Sequence, residues 1–549
     1  MHDVVRDFAL NIAPKYNHQF MVKAGIGLRE WTNIDTFEDF TCISLMSNNT
    51  IELPNELECP KLQVLMVQGS AKICFPGNFF QGMKNLNVLN LSGFRLFSLL
   101  DSVSFLSNLR TLYISDGELG DIGVIGKLSK LEILCLSESN IKEIPISFSQ
   151  LSNLRLLDLN DCWELTLKSR GVIFSLKKLE ELYINRFWEW ESESEILKSN
   201  ANLVELQALS RLTHLEISIS NLDLSPKLLV FPNNLSKFKL RIGYIEYSNH
   251  FDEYLDGSRY SRYMCASQTN ISKIHDCCWV KGLLKRTECL ILKKIANLES
   301  ISHNLVEDGF NELKYLDITL CDEIKYLLNA MEGTPNSTFH NLEELNIYCN
   351  PNLVELCHGQ PPALSFSKLK VLKVTSCSNM LSVVPSHLLQ SLQNFQTFKT
   401  YGCRSVVYIF DCKDIKIAEG ETKLLSSLEH LELKELPELS HIWKGDHQSI
   451  SLHNLKEVKI WSCSKLIKLF SPTLLQSLIC LEEIDIAYCN NLEEIFEKKE
   501  ALDEELDHII TSPSLGNLTS MYIENCHKLK NLFTPSIVKC LGKLKRLEL

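Results

Sequence analysis

The sequence predicts an α/β solenoid in which each repeat contributes one short strand to a parallel sheet. Three observations favour this fold class. One spacing of apolar residues recurs along most of the 549 residues, the copies lie mostly 22 to 29 residues apart, and each contains a short run that alternates apolar and polar residues. Stacked repeats of this length share one continuous core, so a chain this long need not divide into several globular domains.

The clearest copy of the repeat is LEEIDIAYCNNLEEIF at residues 481–496. Leu481, Ile484 and Ile486 have the spacing L-x-x-L-x-L, which places the two isoleucines on one face of a short strand. Cys489 follows where leucine-rich repeats usually carry asparagine or cysteine to bond the backbone as the chain leaves the strand. The sequence therefore predicts a leucine-rich-repeat horseshoe, with a parallel concave sheet and with turns, 3₁₀ segments or short helices on its convex side.

We number positions within a repeat from zero at its first residue. Position 3 should point into the core, as at Leu157, Leu345 and Leu431. The repeats begin at Phe40, Leu62, Leu86, Leu109, Leu131, Leu154, Leu179, Leu212, Leu235, Thr287, Leu313, Leu342, Leu369, Phe395, Leu428, Leu455, Leu481, Leu518 and Leu544.

The repeats come in two lengths, which indicates how the chain is organised. Residues 40–235 contain short repeats, whose outer side has room only for a turn or a 3₁₀ segment. Residues 236–286 break the period and are predicted to be an irregular or degenerate repeat insertion, with a strand near Tyr263. Residues 287–549 contain long repeats, and we expect the chain to be truncated at the C-terminus within the last of them.

The long repeats carry further apolar residues at positions 11, 14 and 15. This pattern predicts that Cys357, Phe410, Trp443 and Phe470 lie in the core rather than in a functional stripe. A serine or threonine cap next to a proline begins a helix readily, because the proline lacks only a hydrogen-bond donor that has no partner in the first turn. Short outer helices are therefore predicted after residue pairs 385–386, 471–472 and 534–535.

The charge and the apolar pattern exclude several classes of partner. A net charge of −12 opposes broad binding to nucleic acid or to anionic membranes, since phosphate contacts need clustered lysine and arginine. No apolar run is long enough to form an integral membrane segment, and the first residues do not have the pattern of a secretory signal. We therefore expect a cytoplasmic protein that binds other proteins.

The chain contains 20 cysteines, which could suggest a disulfide framework. The repeat explains many of them, because they share position 8, where the chain leaves the strand. In a cytoplasmic protein these thiols should stay reduced. The cysteines at this position are Cys162, Cys321, Cys377, Cys403, Cys463, Cys489 and Cys526.

Two short motifs could suggest bound ions, but neither fits the chemistry. Residues 275–278 read His-Asp-Cys-Cys, yet adjacent cysteines share a tetrahedral ion poorly and no C-x-x-C partner follows, so we predict no metal. Gly120, Gly123 and Gly126 approach a phosphate-binding loop, but the spacing is one residue too long and the required Ser or Thr is missing. A turn on the convex side explains these glycines better.

The N-terminal stretch resembles a known family. MHDVVRDFALNIA at the start, LREW from Leu28 and ISLMSNNTIELPNELECPKLQVL from Ile43 resemble plant intracellular immune receptors of the nucleotide-binding, leucine-rich-repeat class, especially the coiled-coil branch. The stretches LFSPTLLQSL and LEEIDIAYCNNLEEIF are similar to the long C-terminal repeats of these disease resistance proteins. The resemblance thus covers essentially the whole chain.

The resemblance implies a nucleotide site that this chain would complete only in part. Residues 1–39 would be the C-terminal end of the nucleotide-binding module, in which the histidine of an M-H-D motif lies by the diphosphate of ADP. His2 and Asp3 would be the nucleotide-binding residues, and only in a complete receptor. The family's coiled coil, phosphate loop and Walker B strand would precede Met1, so we expect a fragment or a truncated gene product that binds no cofactor by itself.

The resemblance also implies a function in plant defence and innate immunity. The repeats would recognise a pathogen effector or a guarded host protein, or would hold the receptor's own nucleotide-binding module in an autoinhibited state. The alternative is an extracellular leucine-rich-repeat receptor ectodomain, which the sequons at Asn234 and Asn517 favour weakly. No hydrolase motif such as G-x-S-x-G or H-E-x-x-H is present, so we predict no enzyme activity.

Aromatic and basic residues at outward strand positions mark the predicted partner-binding surface. Such residues dominate interface hot spots, but neighbouring rings could also stack on one another across strands, and both interpretations stay open. Residues 187–195, FWEWESESE, are predicted either to protrude as a loop or to pack against a neighbouring repeat. The predicted surface consists of Tyr348, Lys373, Lys399, Tyr401, Lys459, Trp461, Tyr488 and Tyr522.

Overall fold

The structure is a computed structural model, and it describes most of the chain. Two compact units are present, unit 1 at Met1–Tyr244 and unit 2 at Ile245–Leu549. The described residues are 19–26, 37–48, 56–68, 78–96, 100–166, 170–188, 203–224, 229–232, 234–244, 259–301, 305, 309–332, 338–413, 415, 423–497, 515–533 and 535–549.

Unit 1 is a leucine-rich-repeat solenoid built on a parallel sheet. Each strand pairs with the strand of the next repeat along the chain, which is the topology that the period predicted. The strands of this sheet are Gln19–Val22, Phe40–Leu45, Val64–Gln68, Val88–Ser92, Thr111–Ser115, Ile133–Cys135, Leu156–Asp158, Glu181–Trp188, His214–Ile219 and Lys237–Gly243.

The outer side of unit 1 carries short elements, as the short repeats predicted. A small sheet pairs Arg95–Leu96 with Glu118–Leu119. The α-helices described there are Leu100–Val103 and Val172–Ser175, and the 3₁₀ helices are Ile122–Lys127, Ile146–Gln150, Leu203–Ala208 and Leu222–Leu224.

The glycines that approached a phosphate-loop spacing lie in one of these outer turns. Asp121 begins the 3₁₀ helix Ile122–Lys127 by accepting a 2.8 Å hydrogen bond from the backbone N–H of Gly123. Gly126 lies so close to the backbone of Ser147 that a Cβ atom there would stand 2.5 Å from the Ser147 carbonyl oxygen. Gly126 therefore allows the close stacking of two repeats.

Unit 2 is also a leucine-rich-repeat solenoid with a parallel sheet in sequence order. The strands of this sheet are Arg262–Ser267, Cys289–Lys293, Tyr315–Thr319, Glu344–Tyr348, Val371–Thr375, Thr397–Tyr401, His430–Lys434, Glu457–Trp461, Glu483–Ala487, Ser520–Glu524 and Arg546–Glu548.

The long repeats of unit 2 add a second set of short parallel strands after position 12. These pair Tyr326–Asn329 with Glu355–His358, Lys468–Phe470 with Glu494–Phe496, and Ser382–Val384 with Tyr408–Cys412 and His441–Gly445. The described helices are Ile271–Asp276, Cys278–Leu284, Ser386–Leu389, Pro472–Leu475 and Pro535–Val538, with a 3₁₀ turn at Ala330–Glu332. The last three α-helices lie where the proline pairs predicted them.

The core of each unit is formed by the positions that the repeat predicted. The position-3 residues Leu157, Leu345 and Leu431 are buried. Cys357, Phe410, Trp443 and Phe470 are buried as well, which confirms that they belong to the core. The rings of Phe410 and Trp443 stack across neighbouring repeats, with 5.0 Å between their centroids.

The stretch predicted to break the period contains regular strands at both ends. Lys237–Gly243 pairs with the preceding strand of unit 1, and Arg262–Ser267 pairs with Cys289–Lys293 of unit 2. The strand predicted near Tyr263 is therefore present. Residues 245–258 lie outside the described residues.

Candidate functional site

The outward face of the unit 2 sheet is the surface on which the predicted binding residues lie. Strands alternate their side chains, so positions 3 and 5 fill the core while positions 2, 4 and 6 face outward. The register places the predicted residues in two rows that run across the strands. We call these the position-4 row and the position-6 row.

The position-4 row is a lattice of paired charges. It runs through Asn346, Lys373, Lys399, Glu432, Lys459, Asp485 and Tyr522. Lys373 Nζ lies 2.8 Å from a carboxylate oxygen of Glu344, and Lys399 Nζ lies 2.9 Å from one of Glu432. All three predicted lysines therefore already have acidic partners within this chain, because Lys459 also pairs with Glu457.

The pKa shifts on this face follow from those ion pairs. Burial opposes ionisation of Glu432, but hydrogen bonds from Lys434 and Lys399 outweigh it and hold the pKa of this carboxyl below its usual range. The hydrogen bond to Glu457 raises the pKa of Lys459. Glu432 and Lys459 are therefore ionised at neutral pH, and the ion pairs place positive and negative charge in close alternation on this face.

The position-6 row contains the exposed aromatic residues. The register orders it as Tyr348, Thr375, Tyr401, Lys434 and Trp461 across neighbouring strands. Two strand spacings, about 10 Å, therefore separate Tyr348 from Tyr401 and Tyr401 from Trp461. At that separation these rings do not stack directly on one another, so cross-strand stacking does not account for their position.

Charged side chains hold these rings instead. The Tyr401 hydroxyl donates a 3.0 Å hydrogen bond to Glu435, and Lys434 Nζ lies 4.4 Å from the ring centroid of Trp461. Tyr488 stands one position further along, at φ +57°, and donates to Glu524 at 3.0 Å. The exposed fractions are 44% for Tyr401, 39% for Trp461 and 49% for Tyr488.

Tyr522 is half-buried, unlike Tyr401, Trp461 and Tyr488. It lies in the position-4 row, with the guanidinium carbon of Arg546 5.7 Å from its ring centroid. Tyr348, Lys373 and Lys459 are half-buried too, whereas Lys399 is exposed. The most accessible part of the predicted surface therefore centres on Tyr401, Trp461 and Tyr488.

The first three strands of unit 2 present an outward cluster that the sequence analysis missed. Tyr263, Cys265, Cys289 and Tyr315 occupy outward positions, yet all four are buried, and Tyr260 packs against them. The rings of Tyr260 and Tyr315 lie 6.0 Å apart between centroids. The sequence carried one signal for this cluster, a tyrosine at position 2 of two repeats. The alternation of side chains along each strand, taken alone, predicted that these residues would be exposed.

A half-buried carboxylic acid, Asp317, lies on the strand Tyr315–Thr319 beside this cluster. Asp317 accepts a 2.7 Å hydrogen bond from the Thr319 hydroxyl, which favours its charged form. Burial works against ionisation and raises the pKa of Asp317 to about 6. The four buried side chains of this cluster are therefore not themselves available to a partner.

Unit 1 presents a different outward face, which the sequence analysis also did not single out. Its position-2 row is largely apolar over six strands and is followed by a row containing Met66 and Tyr113. Ile133 and Tyr113 are the most exposed large residues of these two rows. The position-2 row consists of Cys42, Val64, Val88, Thr111, Ile133 and Leu156.

Several predicted features fall partly or wholly outside the described residues. His2 and Asp3 do so, as do residues 189–195 of the predicted tryptophan loop. The backbone of the first two residues of that loop, 187–188, ends the strand Glu181–Trp188.

The other motifs considered as binding sites are described. His275 Nδ1 lies 3.8 Å from a carboxylate oxygen of Asp276, and the described residues include no group of three ligands suited to a metal. The cysteines described are free thiols. Burial raises the pKa of Cys321 to about 12, which keeps this thiol protonated at neutral pH.

Comparison with known proteins gives the family context. Residues 341–490 and 503–549 match the family model described as plant disease resistance protein RPS2-like, leucine-rich repeats. The Arabidopsis thaliana disease resistance protein At4g27190 is 27% identical over 90% of this chain and 47% of its own length. The probable disease resistance protein At4g27220 of the same plant is 28% identical over 85% of this chain and 50% of its own length.

The chain therefore spans about half the length of the curated relatives that it matches. Among solved structures, the ectodomain of the Arabidopsis receptor kinase HAESA aligns over 96% of this chain and 81% of its own, at 14% identity and a TM-score of 0.39. An alignment at that score says nothing about what this chain binds. None of the helices in the described ranges is long and apolar enough to span a bilayer.

A leucine-rich-repeat solenoid is a fold for protein interaction, and the repeats, the family match and the relatives all point to one class. Residues 341–490 and 503–549 match the leucine-rich repeats of plant disease resistance proteins, and most of the chain is similar to curated members of that class.

Proposed function

We propose that this chain is the recognition module of a cytoplasmic plant immune receptor, and that it binds a protein through the outward face of unit 2. The partner is a pathogen effector, a guarded host protein or, in an autoinhibited receptor, the nucleotide-binding module. The observation that carries this proposal is the exposure of Tyr401, Trp461 and Tyr488 on one sheet face.

Folding gives these rings little reason to occupy outward positions. Positions 3 and 5 of the same strands already fill the core, as Phe398 and Ile460 do beside Tyr401 and Trp461. An outward ring that is about 40% exposed gains burial only from a partner. Central tyrosine and tryptophan residues contribute about 2 kcal/mol or more each to such interfaces.

The charge pattern favours a partner surface of mixed sign. The lysines at 373, 399, 434 and 459 are paired with the glutamates at 344, 432 and 457, so the face has no strong excess of either charge. A uniformly charged partner such as a nucleic acid would meet as much repulsion as attraction. A protein with its own alternating charges can pair with both.

Glycosylation of an extracellular ectodomain fits the Asn517 sequon poorly. The side-chain N–H of Asn517 donates to the Ile479 carbonyl at 2.8 Å, and its oxygen accepts from Lys543 at 2.7 Å. A glycan on this nitrogen would break the contact between two repeats. The curated relatives are also named as disease resistance proteins, which favours the main hypothesis over the extracellular alternative.

Nucleotide binding stays a prediction for a complete receptor. His2 would lie by the diphosphate there and Asp3 would belong to the same nucleotide site, whereas Gly123 and Gly126, which approach a phosphate-loop spacing in this chain, lie in a 3₁₀ helix. Backbone amides of a phosphate loop supply most contacts in such sites. We therefore expect the 549-residue chain to show no ADP binding by calorimetry, and micromolar affinity would contradict this expectation.

Binding through the outward face can be tested by co-purification from infected and uninfected plant tissue. Wild-type chain and the variants Trp461→Ala, Tyr401→Ala and Lys459→Glu are immobilised in equal amounts, and the retained proteins are quantified by mass spectrometry. A true partner should lose about tenfold or more in retention with each variant. Trp163→Ala, which removes a more exposed tryptophan from unit 1, is the matched control and should retain the partner.

The opposite pattern of partner retention would place the recognition site elsewhere on the chain. A partner that binds all three variants as wild type, but is lost when residues 187–195 are replaced, would show that recognition does not use the outward face of unit 2.

A further inference from the structure

Position 12 of the long repeats forms a second row of side chains, which the recognition surface does not use. This position-12 row lies just before the short outer strands, on a part of each repeat separate from positions 2, 4 and 6. Backbone hydrogen bonds of 2.8 to 3.1 Å join six of its neighbouring pairs, so its members are adjacent in space. The row consists of Glu299, Lys325, Val354, Leu381, Val407, Ser440, Ile467, Glu493 and Lys530.

The middle of the row is apolar although it faces solvent. Val354, Leu381, Val407 and Ile467 are exposed by 41%, 58%, 37% and 45%. The core of the same repeats is filled by positions 11, 14 and 15, as Leu353, Leu356 and Cys357 show for one repeat. Apolar residues repeated at one solvent-facing position over several repeats indicate a contact surface rather than a requirement of the fold.

Both ends of the row carry an ion pair in the same order along the chain. At the first end Glu299 and Lys325 are paired, with 3.6 Å between carboxylate oxygen and Nζ. At the other end Glu493 and Lys530 are paired at 2.6 Å. Along the chain the row therefore reads acidic, basic, five uncharged residues, acidic, basic.

This order makes the row complementary to itself when it is reversed. In an antiparallel pair of rows centred on Val407, Glu299 of one copy faces Lys530 of the other, and Lys325 faces Glu493. Val354 then faces Ile467, Leu381 faces Ser440, and Val407 faces Val407. Every charge meets its opposite, and every remaining contact joins uncharged residues.

The rows on either side of the position-12 row also remain complementary when one copy is reversed. At position 13, Glu355 would face Lys468 of the other copy and Tyr408 would face Tyr408. At position 10, Asn352 would face Lys465 and Asn379 would face Glu438. When the two flanking rows are reversed, neither places two like charges opposite each other. A two-fold interface requires this, because the same surface of both copies must be complementary to itself.

We propose that two copies of this chain associate through their position-12 rows, antiparallel, about a two-fold axis at Val407. Repeats spaced by about 4.8 Å give the row a length of about 38 Å, so the contact lies at the small end of specific interfaces and should be reversible. The association uses a surface separate from the recognition face. It goes beyond the function proposed above and can fail or hold independently of it.

Sedimentation velocity of the full 549-residue chain tests for the dimer from about 1 to 100 µM. We expect a concentration-dependent shift from monomer to dimer, and a monomer throughout this range would overturn the proposal. Val407→Asp should abolish the shift, because it places two carboxylates face to face at the axis. Ile479→Asp, at a comparably exposed apolar residue outside the row, is the control and should dimerise as wild type.

Charge reversal tests the antiparallel register itself. Variant A exchanges the first pair (Glu299→Lys with Lys325→Glu), and variant B exchanges the second (Glu493→Lys with Lys530→Glu). Each variant keeps its ion pairs within the chain but places like charges across its own dimer, so self-association of either should weaken about tenfold or more. A mixture of A and B should dimerise like wild type, because every facing pair is again opposite in charge.

The mixture separates this register from other causes of dimerisation. Thermal unfolding of A and B should match wild type, since exposed ion pairs contribute little to folding stability. If A and B dimerise separately as well as wild type, or if folded A and B fail to associate when mixed, the antiparallel arrangement is overturned.

Discussion

Asn350 and Cys321 are joined across neighbouring repeats by a buried hydrogen bond. The side-chain oxygen of Asn350 accepts from the backbone N–H of Cys321 at 2.8 Å. Its amide N–H donates to the carbonyl of Ile318 at 2.9 Å. Asn350 is completely buried, and its side chain satisfies one backbone group inside the strand Tyr315–Thr319 and one just after that strand.

We predict that Asn350→Leu destabilises unit 2 strongly. The change leaves the Cys321 N–H and the Ile318 carbonyl buried without these partners, and each such loss costs about 1 to 3 kcal/mol. Thermal unfolding should show the loss directly. Asn352→Ala is the control, because Asn352 is exposed and water can replace its hydrogen bonds with the Asp322 carbonyl and the Asn379 side chain. Equal effects of the two changes would contradict this explanation.

The same relationship shows how far the sequence determines the fold. The recurrence of asparagine or cysteine at position 8 was visible in the sequence, and the structure gives its reason in the bonds of Asn350, Cys321 and Cys489 to the preceding repeat. Spacing predicted the strands and the buried positions because each repeat meets nearly the same neighbours. Leu436 takes position 8 in one repeat and is buried there as an apolar residue.

The surfaces were harder to predict because burial there depends on neighbours outside the repeat. Asp317 occupies position 4, which alternation assigns to solvent, yet it is half-buried and desolvation raises its pKa. The position-12 row becomes visible only when the repeats are aligned in space. Single-repeat patterns therefore located Tyr401 and Trp461, but gave no indication that Tyr263 and Tyr315 are buried at outward positions.

Core packing gives the second prediction. Leu345→Ala should lower the free energy of unfolding by about 2 to 5 kcal/mol, because Leu345 is completely buried and the change leaves a cavity. Val354→Ala removes a similar apolar side chain from a solvent-exposed position of the same repeat and should cost under about 1 kcal/mol. Denaturant unfolding of both variants measures the difference, and a larger loss for Val354→Ala would show that the strand register is wrong.

Glycine packing gives the third prediction. Gly126→Ala should destabilise unit 1 by about 1 to 3 kcal/mol, because the new Cβ atom would meet the Ser147 backbone and cannot be relieved by turning a side chain. Gly282→Ala is the matched change, since Gly282 lies within the helix Cys278–Leu284 and a Cβ atom there meets nothing within 4 Å. Alanine favours helix, so this variant should gain about 0.5 to 1 kcal/mol. If both variants melted at a higher temperature than wild type, or both at a lower one, this explanation of the two glycines would be contradicted.

The last prediction concerns the pH dependence of unit 2. Asp317 has a pKa of about 6 in the folded protein, raised by burial from an ordinary value of 3.8. Between these values the folded chain holds a proton that the unfolded chain has lost, so stability should fall as pH rises from about 4 to about 6 and then level off. Thermal unfolding across this range, with hydrogen exchange in the strand Tyr315–Thr319, measures the effect.

Two variants test whether Asp317 is the group responsible. Asp317→Asn cannot ionise, so it should be more stable than wild type at pH 7 and should lose this group's share of the slope between pH 4 and 6. Thr319→Val removes a hydroxyl that favours the ionised form, so it should move the upper end of the transition to higher pH. If stability still falls with the same slope between pH 4 and 6 in Asp317→Asn, another group is responsible for this pH dependence.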